Sequence, residues 1–163
     1  QGQAQADRGR PWPVCELALM RIRLARAGER EMLVDLQRRA SLALGTHKAQ
    51  LEMNPDAIDL PAEQIALGEV LVAEIDGKIA GFAVVLDEGG RAELDGLFVE
   101  PSNWRQGIGS ALVDAAIHLA RDRGLSLMTV VADPAAREFY ERCGFSVEGE
   151  AQTRFGPALR MSR

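Results

Sequence analysis

The sequence is poor in the residues that build metal centres and disulfide frameworks. Two cysteines, Cys15 and Cys143, and two histidines, His47 and His118, are scattered over 163 residues. None falls in a zinc-like or redox-like cluster, so no metal site is expected, and a reducing cytoplasm is the simple reading of the compartment. Positive charge is also in deficit: 19 Lys and Arg stand against 24 Asp and Glu, a formal net charge of -5. Nucleic-acid binding leans on basic residues that neutralise phosphates, and this balance argues against such a partner. No apolar run is long enough to cross a membrane. No stretch has the apolar centre and small-residue cleavage site of a secretory signal. The rest is an ordinary globular composition, 47% apolar and 26% charged, at a length that suits one well-cored domain.

Residues 1–19 differ from the remainder of the chain. Gln1-Gly2-Gln3-Ala4-Gln5 and Pro11-Trp12-Pro13 carry no apolar period. They read as a flexible leader or a cloning remnant ahead of a domain over 20–163, with Met20 a natural start. From there, Ile22 and Leu24 alternate with Arg21 and Arg23, which predicts a half-buried strand. Met32, Leu33, Leu36, Ala40 and Leu44 predict a helix over Glu29 to Leu44 with that stripe in the core. Pro55 and Pro61 interrupt the chain beyond this helix, and a short helical piece precedes Gly68.

Val70–Ile75 and Lys78–Val85 flank Asp76-Gly77, a strong hairpin cue because both turn residues take positive φ. Gly89-Gly90 makes a second turn and Ala92–Val99 a fourth strand. The period then changes. Ile108, Leu112, Ala115, Ala116 and Leu119 share a helical face that ends at Gly124. Leu125–Val131 reads as a strand, joined to the fourth by a right-handed crossover. Asp133 caps a short helix over Pro134 to Arg142, and strands close the chain from Phe145. The expectation is an α/β chain whose first half is an antiparallel meander.

Two segments carry chemistry. In Trp104-Arg105-Gln106-Gly107-Ile108-Gly109-Ser110, two glycines one residue apart open a helix directly after a strand. Helix-start amides lack partners and sit in positive potential, which suits phosphate oxygens. Alone, this pattern is shared with any tight strand-to-helix turn. A Rossmann site fits poorly, since Ala111 and Leu112 follow Ser110 where a third glycine is required, and a P-loop lacks its Gly-Lys-Ser/Thr. The second segment, Ala136-Arg137-Glu138-Phe139-Tyr140-Glu141-Arg142-Cys143-Gly144-Phe145, follows the next strand.

Together the two segments resemble the signatures of the GNAT superfamily of acetyl-CoA-dependent N-acetyltransferases, in order and spacing from about Met20 to the end. The resemblance implies a GNAT fold: a central mixed, mostly antiparallel sheet, splayed between strands 4 and 5, with helices on both faces. It implies acetyl-CoA as acetyl donor and no metal. The pantetheine arm would pair with Leu97, Phe98 and Val99, and the pyrophosphate would lie on Arg105, Gln106, Gly107, Ile108, Gly109 and Ser110. Tyr140, the one tyrosine in the chain, would protonate the departing thiolate. Two positions depart from the family pattern. Trp104 stands where Arg or Gln is usual. Asp133 replaces an Asn and cannot donate an amide hydrogen bond, so its cofactor contact gives way to helix capping.

Glu93 and Asp95, two apart on one strand, share a face and are candidates for the base or for a cation anchor, against a plain solvated face. His118 reads as a surface or half-buried helix residue, His47 as a plain loop residue, with a place lining the acceptor entrance as the alternative, and Cys143 as packing. The expected activity is acetyl transfer to a primary amine of a small molecule by direct attack in a ternary complex. The alternatives are a protein lysine or N-terminal acetyltransferase, an enzyme acting on charged tRNA, and a non-catalytic acyl-CoA-binding protein. The resemblance also allows a homodimer.

Overall fold

The computed structural model describes residues 20–163; the leader reading of 1–19, and Cys15 within it, lie outside the described residues. Seven strands form one sheet in the order β1-β2-β3-β4-β5-β7-β6. They are β1 (Met20–Leu24), β2 (Val70–Ile75), β3 (Lys78–Asp87), β4 (Ala92–Val99), β5 (Met128–Ala132), β6 (Ser146–Thr153) and β7 (Gly156–Ser162). Every pairing is antiparallel except β4 with β5. The β2–β3 hairpin turns at Asp76 and Gly77, with φ of 51° and 75°, as the Asp-Gly signal requires.

Five helices flank the sheet: α1 (Arg30–Leu44), α2 (Lys48–Met53), α3 (Ala62–Ala66), α4 (Ile108–Asp122) and α5 (Arg137–Arg142). Each face has its own core. On one, α4 and α5 bury Leu112, Val113, Ala116 and Tyr140, with Phe145 from the turn after α5, against Ala83, Val85 and Leu94. On the other, α1 and α3 bury Leu33, Leu36, Ala40 and Ile65 against Val70, Val72, Phe82 and Val84. The helices therefore lie on both faces, as the family resemblance implies. The α4 helix sits low on β3 because Gly81 offers no side chain: a Cβ there would come within 2.8 Å of the Phe98 carbonyl and 3.1 Å of Leu112.

Three sequence readings are corrected. Met32 and Leu44 are not core; they are 54% and 65% exposed. The buried face of α1 is Leu33, Leu36 and Ala40, and Met32 sits at its margin, about 40° around the helix from Leu36 and about 100° from Leu33. The fifth strand begins at Met128 rather than Leu125, because the Leu125 amide is spent closing α4 on Ala120 at 2.9 Å. The segment after α1 holds a helix, α2, that buries no residue and so leaves no apolar period to read.

Candidate functional site

Strands β4 and β5 are joined over two residue pairs only, Ala92 with Met128 and Glu93 with Thr129. Beyond these, β5 continues along β7 and β4 stays on β3 as far as Val99, so a cleft opens between them. A bulge accompanies the parting. Val84 opposes Gly96 and Val85 opposes Leu94, leaving Asp95 as an extra residue on β4. A bulge bends its strand and shifts the phase of its hydrogen-bonding groups. The Ala92 amide donates toward β5, to Leu127 at 2.9 Å, whereas the Glu100 amide donates toward β3, to Ala80 at 2.8 Å. Alternation back from Glu100 turns the backbone groups of Leu97 and Val99 into the cleft. The Trp104 indole N–H donates to the Val99 carbonyl at 2.8 Å. The remaining edge can accept an extended ligand as an added strand.

The loop after β4 folds through a 3-10 turn, Pro101–Asn103. Arg105 and Gly107 both take left-handed φ, 62° and 81°. The first helical bond of α4 runs from the Ala111 amide to the Gly107 carbonyl at 3.1 Å. The amides of Ile108, Gly109 and Ser110 are thus left without intrahelical partners. Arg105, Gln106 and Gly107 are exposed, while the Ile108 side chain is buried and offers a ligand only its amide. Gly109 is held by packing: a Cβ there would lie 3.1 and 3.2 Å from the Phe139 ring, so α5 approaches α4 through this glycine. The Ser110 hydroxyl lies 3.9 Å from the Cys143 thiol. Burial pushes that thiol above its ordinary pKa, which keeps it a poor nucleophile.

Tyr140 stands on the α4–α5 face, 8% exposed, edge-on to Phe139 at 5.0 Å and to Phe145 at 5.5 Å. Burial, and then Cys143, raise its phenol well above the ordinary value, so it holds its proton. Glu93 and Asp95 lie at the closed end of the cleft. Glu93 pairs with Leu86, which packs toward α1, so Glu93 faces the side opposite Tyr140. Asp95 occupies the bulge and is exposed. Desolvation, followed by Asp95 and Glu88, raises the Glu93 pKa; desolvation, followed by Glu88, raises that of Asp95. Raised carboxyls are better bases.

Asp133 caps the turn leading to α5, its Oδ1 accepting from the Ala135 amide at 2.8 Å. Its Oδ2 is 3.0 Å from Nε2 of His47. Leu97, Val99, Arg105 to Ser110 and Asp133 lie along the cleft or at its open end. Phe98 is a correction to the sequence reading, because the same alternation turns its backbone groups to β3 opposite Phe82 and its side chain packs on the α1 face. Two contributors were not assigned from sequence. Trp104 stood out only as a departure from the family pattern, and its use as a hydrogen-bond donor has no local signal. His47 meets Asp133 across 86 residues, which no motif spacing reports. Among the described residues no group of three or more metal-ligating side chains occurs.

Residues 31–145 match the Acetyltransferase (GNAT) family. The chain belongs to this family. It is 36% identical over 84 residues to an uncharacterized N-acetyltransferase of Methanocaldococcus jannaschii, covering 45% of this chain and 37% of that protein. It is 40% identical over 79 residues to the mycothiol acetyltransferase of Clavibacter michiganensis subsp. michiganensis, covering 47% of this chain and 26% of that one. This GNAT chain thus spans well under half the length of either relative. Its fold is shared with the PaiA N-acetyltransferase of Thermoplasma acidophilum, solved in complex with coenzyme A, at a TM-score of 0.68 and 17% identity, over 88% of this chain and 98% of that one.

Proposed function

We propose that this GNAT domain transfers an acetyl group from acetyl-CoA to a primary amine of a small molecule, by direct attack in a ternary complex. The observation that carries the reading is the cleft. Its β4 edge turns the Leu97 backbone groups and the Val99 amide into the gap, the Val99 carbonyl being taken by the Trp104 indole, and it runs directly into a loop whose helix-start amides have no partners among the described residues. An extended pantetheine arm ending in a pyrophosphate has the shape and charge to use both. Acetyl-CoA supplies the activated acyl group.

The chain's own residues then divide the work across the sheet. Glu93 on the α1 face, or Asp95 in the bulge beside it, attracts an ammonium and takes its proton, directly or through water, because only the neutral amine attacks. On the α4–α5 face, Tyr140 keeps its phenolic proton and donates it to the departing thiolate. Holding both substrates in one cleft supplies much of the rate. Calorimetry with acetyl-CoA, followed by a free-thiol assay over polyamines, amino acids, aminoglycosides and lysine peptides, tests the reading. No acetyl-CoA binding would refute it, and transfer confined to lysine peptides would move the acceptor to proteins.

A further inference from the structure

The segment 45–57 follows a crossing of the cleft that is anchored at both ends. Before it, α1 packs on β4, and Arg39 holds Glu100 just past the end of β4 through two hydrogen bonds of 2.9 and 2.8 Å. After α1 ends at Gly45, His47 reaches Asp133 just past the end of β5. These are the diverging ends of the two strands, so the chain between Arg39 and His47 crosses the cleft mouth on the α1 face. The β6–β7 turn fastens it from the far side. The Phe155 ring packs on the His47 ring, centroids 5.8 Å apart, and Arg154 bonds Asn54 at 2.9 Å and Asp56 at 3.1 Å.

The chemistry at His47 fits a built contact. A carboxylate only accepts, so the Nε2 facing Asp133 carries a hydrogen and donates it. Nδ1 is buried and meets no protein donor among the described residues, so the ring is held by the Asp133 bond and the Phe155 stack. Asp133 accepts two hydrogen bonds at once, one from the strap and one from the turn leading to the Tyr140 helix.

We propose that His47 is a positioning residue for the acceptor side: through Asp133 it fastens the far end of the chain that crosses the cleft mouth from Arg39, and this strap screens the thioester from water and limits which amines enter. The inference rests on the acetyltransferase reading. It needs no acceptor to be known, because a screened thioester has an acceptor-free readout, the hydrolysis of acetyl-CoA alone.

The test compares His47→Ala and His47→Gln with the parent chain, using acetyl-CoA as the only probe. Gln keeps an N–H to offer Asp133. In His47→Ala, amides of 48–57 and 153–156 should exchange hydrogen at least about 10-fold faster together, and acetyl-CoA hydrolysis should rise several-fold, with acetyl-CoA affinity within about twofold of the parent. His47→Gln should restore both toward parental values. Unchanged exchange in His47→Ala overturns the fastening, and faster exchange without faster hydrolysis overturns the screening. A rise in both that His47→Gln fails to reverse overturns the role of the Asp133 bond. If the parent chain does not bind acetyl-CoA in calorimetry, the acetyltransferase reading falls, and the exchange comparison alone decides the fastening.

Discussion

Replacing Tyr140 by Phe removes one oxygen and leaves the edge contacts to Phe139 and Phe145 in place. Among the described residues the hydroxyl has no hydrogen-bond partner, and the residue keeps 8% exposure, so none of them is orphaned by its loss. Stability should therefore change by less than about 1 kcal/mol, the scale of a single net hydrogen bond. Acetyl-CoA affinity should also hold, since the ring is retained. Turnover is where the loss should appear. A lost general acid costs about 10²- to 10⁴-fold. The lower end applies here, because the residual exposure lets water act as a poor substitute. A fall of about 100-fold corresponds to about 2.7 kcal/mol of transition-state stabilisation. Free-thiol release, measured with the best amine of the panel at saturating acetyl-CoA, reads it directly. The defect should shrink with a donor whose thiol is more acidic, because that group leaves more readily without a proton. Normal turnover in Tyr140→Phe would refute the assignment and leave Tyr140 as packing.

The geometry sets four further outcomes. Gly107→Ala should cost about 1–2 kcal/mol, since its φ of 81° disfavours any side chain, and acetyl-CoA affinity should fall with it in calorimetry. Gly109→Ala should lower the melting temperature by pressing on Phe139, a cost of about 1–3 kcal/mol, and Phe139→Leu in the same chain should recover part of it in a double-mutant cycle. Glu93 has a folded pKa raised above its unfolded value, so its charge weakens the fold once pH exceeds the folded pKa; Glu93→Gln should raise the melting temperature at neutral pH, lose that advantage as pH drops below the usual carboxylate range, and slow transfer. Arg23 bridges Glu29 and Glu74 with side chains only 10%, 12% and 16% exposed, and Arg23→Met should lower the urea unfolding midpoint by leaving two carboxylates without their cation.

Much of the site was legible because local chain geometry encodes it. Asp76-Gly77, the glycines of the α4 loop and the Asp133-Pro134 cap each announce a backbone conformation within a few residues. The Ala136 to Phe145 segment adds a packing pattern on one short helix. The features that stayed hidden depend on partners far along the chain. Arg23 reads as the polar half of a strand until Glu29 and Glu74 surround it. Gly109 reads as room for a ligand until Phe139 is seen to fill that direction. The Asp95 bulge shows only once β3 is laid alongside, since Glu93 and Asp95 by themselves look like plain alternation. Met32 and Leu44 fall on the helical stripe by spacing, but nothing in the rest of the described fold lies over them.

The short seam between β4 and β5 has a mechanical consequence. With two residue pairs in common, the sheet behaves as two stiff plates, four strands and three, whose relative movement is restrained mainly by the α4–α5 core beneath them. A molecule bonded along the gap would act as stitching between the plates. Occupancy and rigidity would then be the same property seen from two sides. At 100 times its dissociation constant such a ligand adds about 2.7 kcal/mol to the folded state, and that increment would be felt as shear stiffness across the whole sheet, including at the edge strands β1 and β6, which the ligand never touches.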